Sequence, residues 1–172
     1  MTQTTFMKAL RFTSKWEGGY VNDRYDAGGE TKYGISKRAY PDLDIENLTR
    51  EEADAIYERD YWRKPKFHKL PAKVAIAAFD FGVNSGHKRA VKYLQRIVGA
   101  HDDGMLGPKT LAKVDSFKEL ITNWEAELVL MYLEERKKFV KRIVENNPSQ
   151  KRFLKGWLNR INALKDLLTE ES

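Results

Sequence analysis

Residues 71–85 read PAKVAIAAFDFGVNS, apolar on nearly every side of a helix apart from Lys73 and Asp80. That pattern predicts a helix buried in the middle of a domain. Ahead of it, Phe6, Leu10, Thr13 and Trp16 share one helical face, with Thr5 as the expected cap and Gly18-Gly19 as the stop. Glu17 is then expected in the last turn. From Tyr20 to Ser36 the alternation is weak, with Thr31, Tyr33 and Ile35 on one side of an extended strand and Asp26-Ala27-Gly28-Gly29 as the turn of a small hairpin. Thr49 and Glu52 form a capping box for a helix to about Trp62, and a further helix runs from about His87 to Val98. Pro108 occupies a first helical position after the turn-rich DDGMLGP. Ser116 and Glu119 read as another capping box, opening a long helix to about Glu145 with Phe117, Leu120, Ile121, Trp124, Leu128, Met131 and Tyr132 as its stripe. Pro148 breaks it. The last helix, about Gln150 to Leu168, has Phe153, Leu154, Trp157, Ile161, Leu164 and Leu168 on one face and Lys151, Arg152, Lys155, Arg160 and Lys165 elsewhere.

The reading is of a mainly α chain of 172 residues, enough for one domain with a real core. Cysteine is absent, and His68, His87 and His101 stand singly, without the spacing of a helical zinc site, so no metal and no cofactor is expected. Lys8, Arg11 and Lys15 interrupt the apolar residues of the N-terminus, which therefore does not read as a signal peptide. No stretch is apolar enough to span a membrane. The formal net charge of +6 favours a polyanionic partner such as nucleic acid, an anionic membrane face or an acidic polymer.

Glu17 stands in KWEGGY, where a carboxylate faces the negative end of the helix dipole at a cost of roughly 0.3–1 kcal/mol. Trp16 and Tyr20 beside it are expected to exclude water and push its pKa up by desolvation, the route by which a carboxylic acid stays protonated near neutral pH. The plain alternative is an exposed residue at a helix end. Against that alternative, the double glycine folds Asp26 and Thr31 back over the helix end, setting a carboxylate and a hydroxyl opposite the acid. Glycoside hydrolysis needs such a pair: one acid to protonate the glycosidic oxygen, and a second polar group to position water or stabilise an oxocarbenium ion. Tyr20 and Tyr33 are candidates for stacking on sugar rings, with core packing as the commoner fate of a tyrosine.

Four segments, WEGGYVNDRYDAGGETKYGIS, FDFGVNSG, DGMLGPKT and FLKGWLNRIN, together resemble the phage and bacterial muramidases of glycoside hydrolase family 108, and more distantly the phage lysozymes. The resemblance implies a lysozyme-like helical domain with a small β-hairpin beside a catalytic glutamate, divided into a catalytic lobe at residues 1–100 and a peptidoglycan-binding-like helical lobe at 101–172. It assigns the acid to Glu17 and the assisting roles to Asp26 and Thr31. The segment between Asp26 and Thr31 is one residue shorter than in the phage lysozymes, which keeps Asp23 as a rival. Asn84 and Gly86 resemble a step bordering the sugar cleft, while a plain helix C-cap explains the same Asn-Ser-Gly.

The expected function is that of an endolysin muramidase cutting the β-1,4 bond between N-acetylmuramic acid and N-acetylglucosamine. It would be made in a host cytoplasm and act on the wall after release through a membrane lesion. A lytic transglycosylase and a non-catalytic wall-binding or secretion-assisting protein remain as alternatives. Peptidoglycan is the expected partner, with a monomer and no nucleic acid. The basic last helix adds an anionic membrane or lipopolysaccharide contact as a further expectation.

Overall fold

A computed structural model of the chain describes residues 4–17, 21, 22 and 29–170. Thr4, one residue before the predicted cap, accepts the Met7 amide and starts α1 (Thr5–Trp16). Three short strands follow, β1 (Val21–Asn22), β2 (Glu30–Lys32) and β3 (Ile35–Ser36), in an antiparallel sheet of order β1-β2-β3. The expected single strand running through Thr31, Tyr33 and Ile35 is therefore broken. Lys32 pairs with Ile35 across a two-residue loop, Tyr33-Gly34, whose φ values of 53° and 80° are the positive pair that a tight hairpin demands. Of the first predicted turn only Gly29 lies among the described residues.

The Thr49/Glu52 capping box is reciprocal and opens α2 (Arg50–Ile56), which continues through a π-helical stretch, Tyr57–Arg63. The central helix is α3 (Ala72–Ser85), with every residue from Val74 to Gly82 buried and α1, α4 and α6 packed around it. Helix α4 (His87–Val98) has the predicted bounds. Pro108 is the first residue of α5 (Pro108–Leu120), and the loop before it is tied down by buried Gln95, which donates to Met105 O and Thr110 Oγ1 and accepts the Gly104 amide. The DGMLGP turn is thereby accounted for by backbone satisfaction.

The long helix does not start at Ser116. That residue lies inside α5, its hydroxyl turned back onto Lys113 O, and the chain breaks at Ile121 before α6 (Trp124–Asn146) begins. A serine and a glutamate three apart cap only where the helix has an end, and Pro108 had already supplied one. Helix α7 (Lys151–Thr169) closes the fold against α6. One of its cations departs from the sequence expectation: Arg160 is 5% exposed and belongs to the core.

Candidate active site

Glu17 is the C-cap of α1, one position beyond the turn where periodicity placed it, with extended backbone (φ −88°, ψ 145°). Its side chain is 22% exposed, and Oε1 accepts from both terminal nitrogens of Arg160 at 3.2 Å. On the other side lies the β2–β3 turn. A Cβ added to Gly34 would stand 3.2 Å from Glu17 Oε2 and collide with the Tyr57 hydroxyl, which donates to Tyr33 O. A glycine is needed here for both the positive φ and the space.

Burial raises the Glu17 pKa above its ordinary 4.5, Arg160 works against that rise, and the negative Asp80 behind Arg160 adds to it. The net direction is upward, as a proton donor requires. Desolvation penalises the ionised form before the reaction, and the adjacent guanidinium stabilises the carboxylate that proton donation leaves behind.

Arg160 is itself held from below. Its Nε and Nη2 donate to Asp80, which also accepts from Arg136 Nη1 at 2.7 Å and from the Thr13 hydroxyl at 2.7 Å. Asp80 is fully buried and Arg136 is 1% exposed. Burial opposes the charge of Asp80, but the two arginines outweigh it and hold its carboxyl below the ordinary 3.8. Arg136 then reaches Asn84 Oδ1 at 3.4 Å. A buried chain of charge thus runs from Glu17 through Arg160, Asp80 and Arg136 to Asn84.

Both ends of that chain open on one cleft of about 390 Å³. Trp16, Phe153 and Trp157 supply its aromatic surfaces, with Trp16 38% exposed and the Phe153 and Trp157 rings 5.8 Å apart at 31°. Gly156, with no heavy atom within 4 Å of where a Cβ would be, also lines the cleft, as does Arg152, whose guanidinium lies 4.7 Å over the Phe153 ring. Apolar ring faces beside a buried acid suit a pyranose, whose C–H groups pack on aromatics while its hydroxyls take polar partners.

Of the sequence-predicted site residues, Glu17 and Asn84 line this cleft. The cap of α3 is Gly86 at φ 98°, so the Asn-Ser-Gly step ends the helix through its glycine and borders the cleft through its asparagine. Thr31 lies on β2, paired with Val21 and Ser36, and Tyr33 lies in the hairpin loop with the Arg50 guanidinium 5.2 Å from its ring. Neither lines the cleft. Tyr20, Asp23 and Asp26 lie outside the described residues.

Sequence reasoning missed Arg160, Asp80, Arg136 and the α7 aromatics as site residues. The available signal was Asp80, a lone carboxylate in an otherwise apolar helix, which must find cationic partners if the helix is buried. Gly34→Ala is expected to cost at least about 1–3 kcal/mol, from its positive φ together with the collision of the new Cβ with the Tyr57 hydroxyl. It should also lower kcat beyond what the loss of folded protein explains, because the new methyl presses on Glu17. Unchanged turnover in a folded variant would separate the hairpin from the acid.

Residues 10–86 match the family described as Glycosyl hydrolase 108, and residues 89–162 match the one described as Predicted Peptidoglycan domain. Among solved structures the chain is similar to that of Brucella abortus SagA, at 32% identity over 95% of this chain and 93% of that one, with a TM-score of 0.78. No curated protein matches the chain.

Proposed function

Because the chain belongs to the glycosyl hydrolase 108 family, we propose that it is a muramidase, cleaving the β-1,4 bond between N-acetylmuramic acid and N-acetylglucosamine with Glu17 as the acid. The protein is a glycoside hydrolase with a lysozyme-like, mainly helical fold, and its second half matches a peptidoglycan domain. The observation that carries the muramidase reading is Glu17 itself, half-buried in the lining of an aromatic cleft and with its pKa raised by burial.

In this reading protonated Glu17 donates to the glycosidic oxygen, the C–O bond breaks, and positive charge develops on the sugar ring. Arg160 does not touch the sugar oxygen in this scheme. It holds the Glu17 carboxyl in place and stabilises the anion formed by proton donation. The family resemblance gives Asp26 the positioning of the water that adds to the ring carbon and the uptake of that water's proton, with Thr31, on β2 and outside the cleft lining, assigned to supporting Asp26. Asn84, at the other end of the buried chain, is assigned to the sugar substituents.

Digestion of purified peptidoglycan, followed by mass spectrometry of the released fragments, tests the bond and the reaction together. Reducing N-acetylmuramic acid ends are expected. Reducing N-acetylglucosamine ends would move the cut to the other glycosidic bond, and anhydromuramyl ends would make the protein a lytic transglycosylase.

A further inference from the structure

A larger groove, of about 610 Å³, lies between α4 and α6 and takes no part in the chemistry above. Lys88, Arg89, Lys92, Arg96 and Arg142 line it, and its lining contains no carboxylate. Arg96 is paired with Asp102, but among the described residues the other four have no acidic partner within ion-pair distance. Unpaired cations crowded into a concavity repel one another, and an anionic ligand relieves that repulsion.

The guanidiniums are also preorganised. Arg89 lies 4.7 Å over the Phe139 ring and donates to Ser85 O, Arg96 lies 5.2 Å over Tyr93, and Arg142 donates to the Tyr93 hydroxyl at 2.7 Å. A guanidinium fixed on a ring face loses little freedom when it takes a carboxylate in its fork. The first turn of the twelve-residue α4 enters the same groove through Gly86, Lys88 and Arg89, and no side chain caps its free amides. Its positive dipole end adds to the field of the cations.

The position of the groove selects the ligand. Asn84 lines the cleft over Glu17, and the very next residue, Ser85, lines the groove. A polymer whose sugar backbone occupies the cleft can therefore send a side branch into the cations. We propose that the α4–α6 groove binds the carboxylates of the acidic peptide stems carried by the peptidoglycan strand, so that the enzyme reads the stem while cutting the glycan. The inference rests on the peptidoglycan reading above.

The test uses Glu17→Gln protein, so that binding is read without hydrolysis and a failure of the muramidase reading leaves the readout intact. Binding is measured to stem-bearing peptidoglycan fragments, to glycan strands stripped of their stems by an amidase, and to a soluble acidic stem tetrapeptide. Inorganic phosphate serves as the competitor. Adding Lys92→Gln and Arg142→Gln together should lower the preference for stem-bearing over stripped strands by at least about tenfold, the scale of two lost charge-assisted contacts. Lys88→Gln alone, on an exposed cation, should move the same ratio in the same direction by less. Equal weakening on both kinds of strand would overturn the proposal, as would an unchanged ratio in both variants. So would phosphate displacing the fragments more effectively than the tetrapeptide does, which would make the groove a phosphate site.

Discussion

Glu17→Gln is expected to lower turnover on peptidoglycan by about 10²- to 10⁴-fold, the usual contribution of a general acid, while the protein folds as before. Glutamine keeps the size of the side chain and an oxygen to accept from Arg160, so only the transferable proton is lost. The same substitution carries a stability signature. The folded state holds the Glu17 proton more tightly than the ordinary 4.5 of an unfolded glutamate. That contribution is fully present below the unfolded pKa and is lost as pH rises through the raised folded one. Above the raised folded pKa wild type therefore carries a half-buried charge that Glu17→Gln lacks, and there the variant should unfold at an equal or higher temperature. Melting curves of both proteins from acidic to neutral pH, together with turnover on purified walls, check the two halves. Near wild-type turnover would remove Glu17 from the acid role. A variant that melts clearly lower at neutral pH would mean that attraction to Arg160 outweighs desolvation, and Glu17 would then be too acidic to donate.

Asp80→Asn is expected to destabilise the protein by about 3–5 kcal/mol, the scale for removing one partner of a buried charge network. In a chain of this size that corresponds to a fall of roughly 6–20 °C in melting temperature. Asparagine preserves shape and two hydrogen-bonding atoms but leaves the Arg136 and Arg160 guanidiniums without their shared anion. The deficit should depend on pH. Asp80 has a folded pKa below the ordinary 3.8, so its stabilisation is present above that value and is lost as pH falls through the lower folded pKa. The gap between wild type and variant should therefore narrow in acid.

A second readout separates positioning from mere stability. Asp80 raises the Glu17 pKa across Arg160, and removing it frees that guanidinium for Glu17 alone. The alkaline limb of the activity profile should then shift to lower pH in the folded variant. A destabilised Asp80→Asn protein with an unshifted profile would confine Asp80 to the core.

The segments legible in the sequence share a physical property: their causes lie within a few residues. The Thr49/Glu52 box, the proline at the start of α5 and the all-round apolar character of α3 each announce themselves through a cap, a missing amide or a missing polar face. Glu17 was legible for the same reason, since two glycines next to it in the sequence mark the expected helix end. Ser116 shows the limit of such signals, because a capping sequence acts as a cap only if the helix has not already begun. Arg160 shows another. It stands at i+3 from Trp157 and i−4 from Leu164, on the edge of the apolar stripe, yet a cation there reads as solvated unless the anion that meets it is known.

The charge chain is a matter for tertiary structure. Arg136 and Asp80 are 56 residues apart, Arg160 and Asp80 are 80 apart, and Arg160 and Glu17 are 143 apart. Local pattern determined that this chain forms α3 with one carboxylate in it, ends α1 at Glu17 and builds an amphipathic α7. Only the packing of α7 and α6 onto α3 brought two guanidiniums to Asp80 and one of them on to Glu17. Coulomb attraction and hydrogen bonding act over a few ångströms in space whatever the distance along the chain, whereas caps and periodicity act over a few residues along it.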